Sequence, residues 1–344
     1  MMGQDASSTK LVPSLADLHA ARDALVGKVI DTPLVASPAL ASMLGAKSVS
    51  LKLESFQHTG TFKFRGAIWR CQNLSAAERE KGVVAYSSGN FAQALAAAAQ
   101  ALNIPCTIVM PIDAPAIKRQ RTEAFGARVI VTDHGNQPRE AVASAKAREL
   151  AEENGLTLLH PFDDPAIIAG HATLAFEVAA ACKKNHLALP QDVLCCAGGG
   201  GLIAGLAVGF AAAQNGVTPP KVVPVEPEAF DAVGRSVIEG RTISVIGGPK
   251  SICDALQAPA PGAAPLASLL SVGTGLPLAV SDEEVRRAMR LAVELFGLVL
   301  EPSGAVPLAG YLGAGQRWQG RDVLIIASGR NITAQDFARL IAQP

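Results

Sequence analysis

Several absences narrow what this chain can be. It has no net charge, with 30 basic and 30 acidic residues, so it lacks the basic footprint that nucleic acid or an anionic membrane surface selects. Its six cysteines, Cys71, Cys106, Cys182, Cys195, Cys196 and Cys253, form neither a CxxC pair nor disulfide-scaffold spacing. They are expected to be buried thiols in a reducing cytoplasm. Its six histidines show no HExxH or paired-ligand spacing, so zinc is not indicated. The first thirty residues have no basic segment followed by an apolar core and cleavage site, so no signal peptide is expected. The apolar stretch Ala197 to Ala213 runs into four glycines and is shorter than the roughly twenty residues of a membrane span. No internal repeat of fixed period is present.

A length of 344 residues suggests two domains with a large core. Apolar runs rich in valine and isoleucine, Gly82 to Ser87, Cys106 to Pro111, Arg128 to Asp133, Asp192 to Ala197, Lys221 to Glu226 and Arg321 to Ser328, read as buried strands. Between them lie the helical patterns Phe91 to Leu102, Ala116 to Phe125, Arg139 to Glu153 and Ile167 to Lys183. This alternation predicts βαβ units in a doubly wound α/β protein, with ligands at the carboxyl ends of parallel strands. The Pro/Gly/Ala-rich segment Ala258 to Ala267 reads as a loop. A short helix, Thr333 to Ala342, follows the last strand, and no appended regulatory module is expected.

Four motifs carry chemistry. His58-Thr-Gly-Thr-Phe-Lys63-Phe-Arg-Gly-Ala67 puts a lysine at the start of a helix behind a Thr-Gly turn; a desolvated lysine there favours the free amine that Schiff-base formation needs. Ser87-Ser88-Gly89-Asn90-Phe91 joins a strand to a helix, where hydroxyls and backbone N–H groups can bind a carboxylate, although an ordinary N-cap reads the same way. Gly198-Gly199-Gly200-Gly201-Leu202 can close around a phosphate. Gly199, Gly201 and Ala204 also satisfy a GxGxxA dinucleotide fingerprint, with Glu226 ending the next strand, but an NAD oxidoreductase would leave Lys63 without a task. Ser328-Gly329-Arg330-Asn331 ends the last strand with a hydroxyl able to bond a ring nitrogen.

Together these motifs resemble the fold-type II (tryptophan synthase β-like) pyridoxal-phosphate enzymes, most closely the serine/threonine dehydratase and serine racemase family. The resemblance runs from Asp31-Thr-Pro-Leu34 to Asn331 and includes His160-Pro-Phe-Asp-Asp-Pro165, Val225-Glu-Pro227, Ser251-Ile-Cys-Asp-Ala255 and Glu301-Pro-Ser-Gly304. It implies two doubly wound parallel-sheet domains with pyridoxal 5'-phosphate between them: a discontinuous large domain, 1–81 plus 160–344, and a small carboxylate-binding domain, 82–159. It implies Lys63 as the Schiff-base lysine and Phe62 packed beside the cofactor. Asn90 would meet the pyridine 3-hydroxyl, Gly198, Gly199, Gly200, Gly201 and Leu202 the phosphate, and Ser328 the pyridine nitrogen. Ser88 would be the acid/base opposite Lys63, and Glu301 and Asp254 would line the pocket. Ser87, Ser88, Gly89, Asn90, Phe91 and Arg139 would face the substrate. The implied reaction dehydrates and deaminates a 3-hydroxy amino acid to a 2-oxo acid and ammonia, with the cofactor phosphate as proton donor to the leaving hydroxyl. A cytoplasmic homodimer is implied.

Two positions depart from the family pattern. Phe91 stands where many relatives carry histidine, which points to an apolar β-substituent such as the phenyl of phenylserine. Relatives that bind a structural divalent cation use a glutamate like Glu226, a carbonyl four residues on and an aspartate six residues on. Those last two positions are here Phe230 and Ala232, although Asp231 is one residue away. A hard oxygen ligand is missing, so no essential Mg²⁺ or Ca²⁺ is expected. The alternatives are an amino-acid racemase using Lys63 and Ser88 as its two bases, and a catalytically silent cofactor-binding protein.

Overall fold

The valine-rich runs assemble into two separate sheets. A computed structural model of the chain describes residues 11–343, apart from 88, 115, 136, 138, 214–217 and 246–249 and the side chain of residue 140. Among the described residues there are ten strands: β1 Leu34–Ala36, β2 Ser48–Lys52, β3 Val83–Tyr86, β4 Cys106–Pro111, β5 Arg128–Thr132, β6 Thr157–Leu158, β7 Asp192–Cys196, β8 Lys221–Pro227, β9 Leu278–Val280 and β10 Asp322–Ile326. The larger sheet has the order β1-β2-β10-β7-β8-β9 and the smaller β5-β4-β3-β6. Among the described strands only the edge pairing of β1 with β2 is antiparallel.

Each sheet reverses its winding once. From β7 the chain moves outward through β8 and β9, whereas β10 returns on the other side of β7. In the smaller sheet β4 and β5 lie on one side of β3 and β6 on the other. Such reversals open a crevice at the carboxyl ends of the two strands concerned, because their following segments diverge to opposite faces. The glycine loop follows β7 and Ser328 follows β10; Ser87 to Asn90 follow β3 and His160 to Phe162 follow β6.

Glycines bring the helices close enough to hold this arrangement. Helix Lys63–Gln72 lies against helix Pro165–Lys184, where a Cβ on Gly170 would stand 2.6 Å from the Arg65 carbonyl oxygen. Helix Pro165–Lys184 is long and apolar enough to cross a membrane, but 67% of its apolar window is buried in protein, which makes it a core helix of this fold. The stretch Ala197 to Ala213 holds the glycine loop and the buried helix Gly201–Ala212. The segment expected to be a loop from Ala258 to Ala267 is a loop only in its first half. Helix Ala263–Val272 begins within it, and Pro265 sits in the first turn, where its missing N–H costs nothing. Of the six cysteines, all unpaired, five are buried and Cys106 is half-buried.

Candidate active site

The turn before Lys63 is held in an unusual backbone conformation. Thr59 and Gly60 have φ of 61° and 76°, and for a β-branched residue such as Thr59 this region is strained. The strain is sustained by ties to the loop after β10. Asn331 Nδ2 donates to the Thr59 carbonyl at 2.9 Å, the Arg330 N–H to the Gly60 carbonyl at 3.0 Å, and the Phe62 N–H to the Ser328 carbonyl at 3.3 Å. Behind the turn, buried Arg65 makes a two-pronged bond to Glu54, Nε to Oε2 at 2.7 Å and Nη2 to Oε1 at 2.8 Å. Its Nη2 also pairs with Glu177 at 2.8 Å, and Glu177 in turn pairs with buried Lys52. Helix Lys63–Gln72 therefore starts from a fixed point.

Lys63 opens on the cavity. Its Nζ donates to the Pro161 carbonyl at 3.2 Å and lies 5.2 Å from the centroid of the Phe62 ring. Desolvation lowers its pKa from 10.5 to about 8, which enlarges the minority of neutral amine present near neutrality. His171, buried and without a hydrogen-bond partner on either ring nitrogen, packs edge-on to Phe62 at 5.0 Å.

Two helix N-termini without side-chain caps reach the same cavity. Helix Gly201–Ala212 starts behind Gly200, whose φ of 91° is a left-handed conformation, and no side chain caps it. Helix Asn90–Ala101 starts behind Gly89 and also lacks a side-chain cap. First-turn N–H groups left in this way attract anions, and two such ends suit a ligand with two anionic groups. The glycines are required for close approach: a Cβ on Gly199 would collide with the Phe162 ring, and one on Gly201 would stand 3.0 Å from the Phe162 Cβ.

The cavity, about 470 Å³, is completed by polar groups from both sheets. Asn90 Nδ2 donates to Glu301 Oε1 at 2.8 Å, and Asn331 Nδ2 donates to Asn90 Oδ1 at 2.8 Å. Burial, seconded by the nearby Asp254 charge, pushes the Glu301 carboxyl up to about 7; its Oε2 has no partner. The Cys196 thiol, at the end of β7, donates to Ser328 Oγ at 3.2 Å. Lys118, from helix Ala116–Ala124, pairs with Asp254 across the cavity.

A family model for the pyridoxal-phosphate dependent enzymes matches residues 26–329. The chain belongs to that family. It is 37% identical over 333 residues to L-threo-3-hydroxyaspartate ammonia-lyase of Saccharomyces cerevisiae, covering 96% of this chain and 97% of that protein. It is 33% identical over 338 residues to serine racemase of Schizosaccharomyces pombe, covering 98% and 100%. Among solved structures, a threonine deaminase from T.th. superposes with a TM-score of 0.84 at 38% identity, covering 93% of this chain and 99% of that one. The fold is therefore that of the fold-type II enzymes and the cofactor is pyridoxal 5'-phosphate.

The residues present fit that cofactor. A lysine with a depressed pKa can bond the aldehyde, the glycine cradle and bare helix end suit the phosphate, and a neutral hydroxyl at Ser328 suits a ring nitrogen. Phe62, Asn90, Gly198, Gly199, Gly200, Gly201, Leu202, Glu301 and Ser328 all line the cavity, as do Ser87, Gly89 and Phe91. Ser88 lies outside the described residues. Arg139 is the residue the geometry moves elsewhere: it begins helix Arg139–Asn154, but its Nη1 donates to Asp113 at 3.0 Å on an exposed edge. From the same helix Ala141, Ala143 and Ser144 line the cavity.

The divalent-cation positions are engaged otherwise. Both Glu226 oxygens accept backbone N–H groups, from Val233 at 2.9 Å and Gly234 at 2.7 Å, and Asp231 Oδ2 accepts from Arg235 at 2.8 Å. Among the described residues, no three His, Cys, Asp or Glu side chains group as metal ligands. Reasoning from sequence missed Tyr86, His160, Lys118, Cys196 and Asn331 as cavity residues or their supports. The motif Ser328 to Asn331 contained a signal for the last, since an amide beside a ring-facing serine has a polar partner to find.

Proposed function

We propose that this protein is a dehydratase and ammonia-lyase that converts a 3-hydroxy amino acid, such as threonine, serine, 3-hydroxyaspartate or phenylserine, to a 2-oxo acid and ammonia by β-elimination. The observation that carries this reading is a desolvated lysine lining one cavity with two helix N-termini that no side chain caps. The names of similar proteins support it.

When bound, pyridoxal phosphate supplies a conjugated electron sink for electrons released at the substrate α-carbon. Lys63 Nζ would hold the cofactor's aldehyde, and the same amine would take the α-proton. Gly198 to Leu202 take the phosphate at the N-terminus of helix Gly201–Ala212. Ser87, Gly89, Asn90 and Phe91, with Ser88, take the substrate carboxylate at the other helix end. Phe62 would pack beside the ring, and Ser328, which accepts from the Cys196 thiol, would face its nitrogen. A hydroxyl cannot protonate that nitrogen strongly, so the ring is a weaker sink and prompt loss of the β-hydroxyl is favoured. Ser88 serves as acid/base on the face opposite Lys63. Arg139, engaged by Asp113, is left out of the substrate site.

Residues 82–159 would form the small domain and 1–81 with 160–344 the large one; the membership of strands in the two sheets supports this division. The six unpaired thiols support a cytoplasmic setting, and the family likeness supports a homodimer. A racemase activity is the second reading, supported by the likeness to serine racemase.

A substrate panel tests both. Release of 2-oxo acid from threonine, serine, 3-hydroxyaspartate and phenylserine is measured beside loss of optical activity. Oxo-acid release is expected to dominate; loss of optical activity without it would replace the lyase with a racemase. A clear preference for 3-hydroxyaspartate would dismiss the apolar pocket inferred from Phe91.

A further inference from the structure

Lys118 is a buried cation that the proposed elimination leaves without a task. It stands in the first turn of helix Ala116–Ala124, is 7% exposed and lines the cavity. Among the described residues of the cavity wall, Lys63 and Lys118 are the only lysines or arginines, and Arg139 is engaged by Asp113 on an exposed edge.

Its position is defined from two sides. Lys118 Nζ pairs with Asp254, whose side chain is half-exposed, and a Cβ on Gly89 would stand 3.6 Å from the same Nζ. Gly89 immediately precedes helix Asn90–Ala101, the uncapped N-terminus assigned to the substrate carboxylate. The lysine amine therefore sits against the point where that helix begins. A cation at a helix N-terminus opposes the helix dipole and costs stability there, whereas an anion held between the two gains from both. Asp254 supplies a counter-charge but takes only one of the three N–H donors of the lysine, and among the described residues no second acceptor meets it. A residue that breaks a stabilising rule in a cavity wall is where function is expected.

We propose that Lys118 is a substrate-binding residue: its amine and the first-turn N–H groups of helix Asn90–Ala101 together hold the substrate α-carboxylate, while Asp254 anchors the lysine from the segment between β8 and β9. This rests on the carboxylate role given to Ser87, Gly89, Asn90 and Phe91. Lys118 makes no covalent step. It selects α-amino acids over amines that lack a carboxylate, because a charge-assisted hydrogen bond to the carboxylate is stronger than one between neutral groups.

Titration of the holoenzyme with alanine and with ethylamine tests this. The two amines differ only in the carboxylate, and neither has a leaving group. The half-saturating concentration for the change in the cofactor's visible absorbance therefore reports binding whether or not the protein is a lyase. Lys118→Met removes the charge and keeps a side chain of similar length. Its half-saturating concentration for alanine is expected to rise by about 10- to 100-fold, the range for a hydrogen bond to a charged group, while that for ethylamine stays within about 3-fold. Lys118→Arg should recover part of the loss. Asp254→Asn separates binding from bridging: it keeps a polar side chain against the lysine without the competing charge, so alanine should bind within about 3-fold of wild type or more tightly. Equal loss for alanine and ethylamine in Lys118→Met, or a loss in Asp254→Asn as large as that in Lys118→Met, would make the pair a bridge across the cavity. No loss with either amine would remove Lys118 from the carboxylate's contacts; each of these results overturns the proposal. A wild type that binds both amines alike would refute the carboxylate loop and the proposal with it. A wild type that prefers alanine but releases no 2-oxo acid from any hydroxy amino acid would tell against the lyase reading alone.

Discussion

Asn90 Nδ2 donates to Glu301 Oε1 at 2.8 Å, so the helix behind β3 and the helix Pro302–Gly313 meet through one buried side-chain bond at the cavity wall. Glu301→Ala leaves that amide without its acceptor and should cost about 1–3 kcal/mol, whereas Glu301→Gln retains a carbonyl oxygen and should cost less. The carboxyl is raised from 4.5 to about 7. A group raised on folding contributes stability fully below its unfolded value and loses it as pH rises through its folded one. The advantage of wild type over Glu301→Gln, measured by denaturant unfolding, should therefore shrink between about pH 4.5 and about pH 7.

Lys63 titrates in a range where its reactivity can be followed. With its pKa lowered from 10.5 to about 8 by desolvation, the neutral amine gains as pH rises through about 8 and is lost below it. The rate at which the apoprotein regains visible cofactor absorbance should rise with a midpoint near that pH. A midpoint near the value of an ordinary lysine would show that the site does not desolvate the amine.

Arg65 sits two residues from Lys63 and is matched on both sides by carboxylates. Arg65→Met leaves Glu54 and Glu177 without it, and removing one partner of a buried ion pair costs about 3–5 kcal/mol. Arg65→Lys should recover only part, because an ammonium cannot reproduce the two-pronged geometry. Thermal unfolding of both variants checks the order.

Much of the fold is readable wherever the local pattern and the tertiary demand agree. The runs at β3, β4, β5, β7, β8 and β10 are apolar because both faces of a parallel sheet are covered. β2 escapes such a reading because Lys52, its last residue, is buried through a bond to Glu177, 125 residues away. β1, β6 and β9 have two or three residues each, too few for a period to show. The site divides along the same line. The lysine turn, the serine-glycine loop and the glycine cradle are local backbone chemistry, and the sequence announces them. Cys196 with Ser328, Lys118 with Asp254 and Tyr86 with His160 are pairs separated by 132, 136 and 74 residues, and only folding joins them. Arg139 shows the converse case: its place at a helix start is legible, but its hydrogen bond to Asp113, on the loop after β4 and 26 residues earlier, is not.

Glu226 accepts two backbone N–H groups from the helix Ala232–Glu239. Chelator treatment should leave turnover and the unfolding temperature unchanged, while Glu226→Gln, which exchanges one acceptor for a donor facing an N–H, should destabilise by about 1–3 kcal/mol. Burial raises the carboxyl from 4.5 to about 8, so the stability it contributes is present below about pH 4.5 and is lost as pH rises through about 8. Activity abolished by chelator and restored by Mg²⁺ would show that a cation is required after all.

Lys63 bonding the cofactor and taking the α-proton is the claim on which the rest depends, and a paired measurement on wild type and Lys63→Ala tests it. Visible absorbance is recorded before and after borohydride, and 2-oxo acid release is followed from threonine, serine and 3-hydroxyaspartate. The wild type should be coloured, lose its colour on reduction and release 2-oxo acid from at least one of the three, while Lys63→Ala should be uncoloured and release none. A Lys63→Ala protein that keeps the reducible colour or the turnover of the wild type would contradict it.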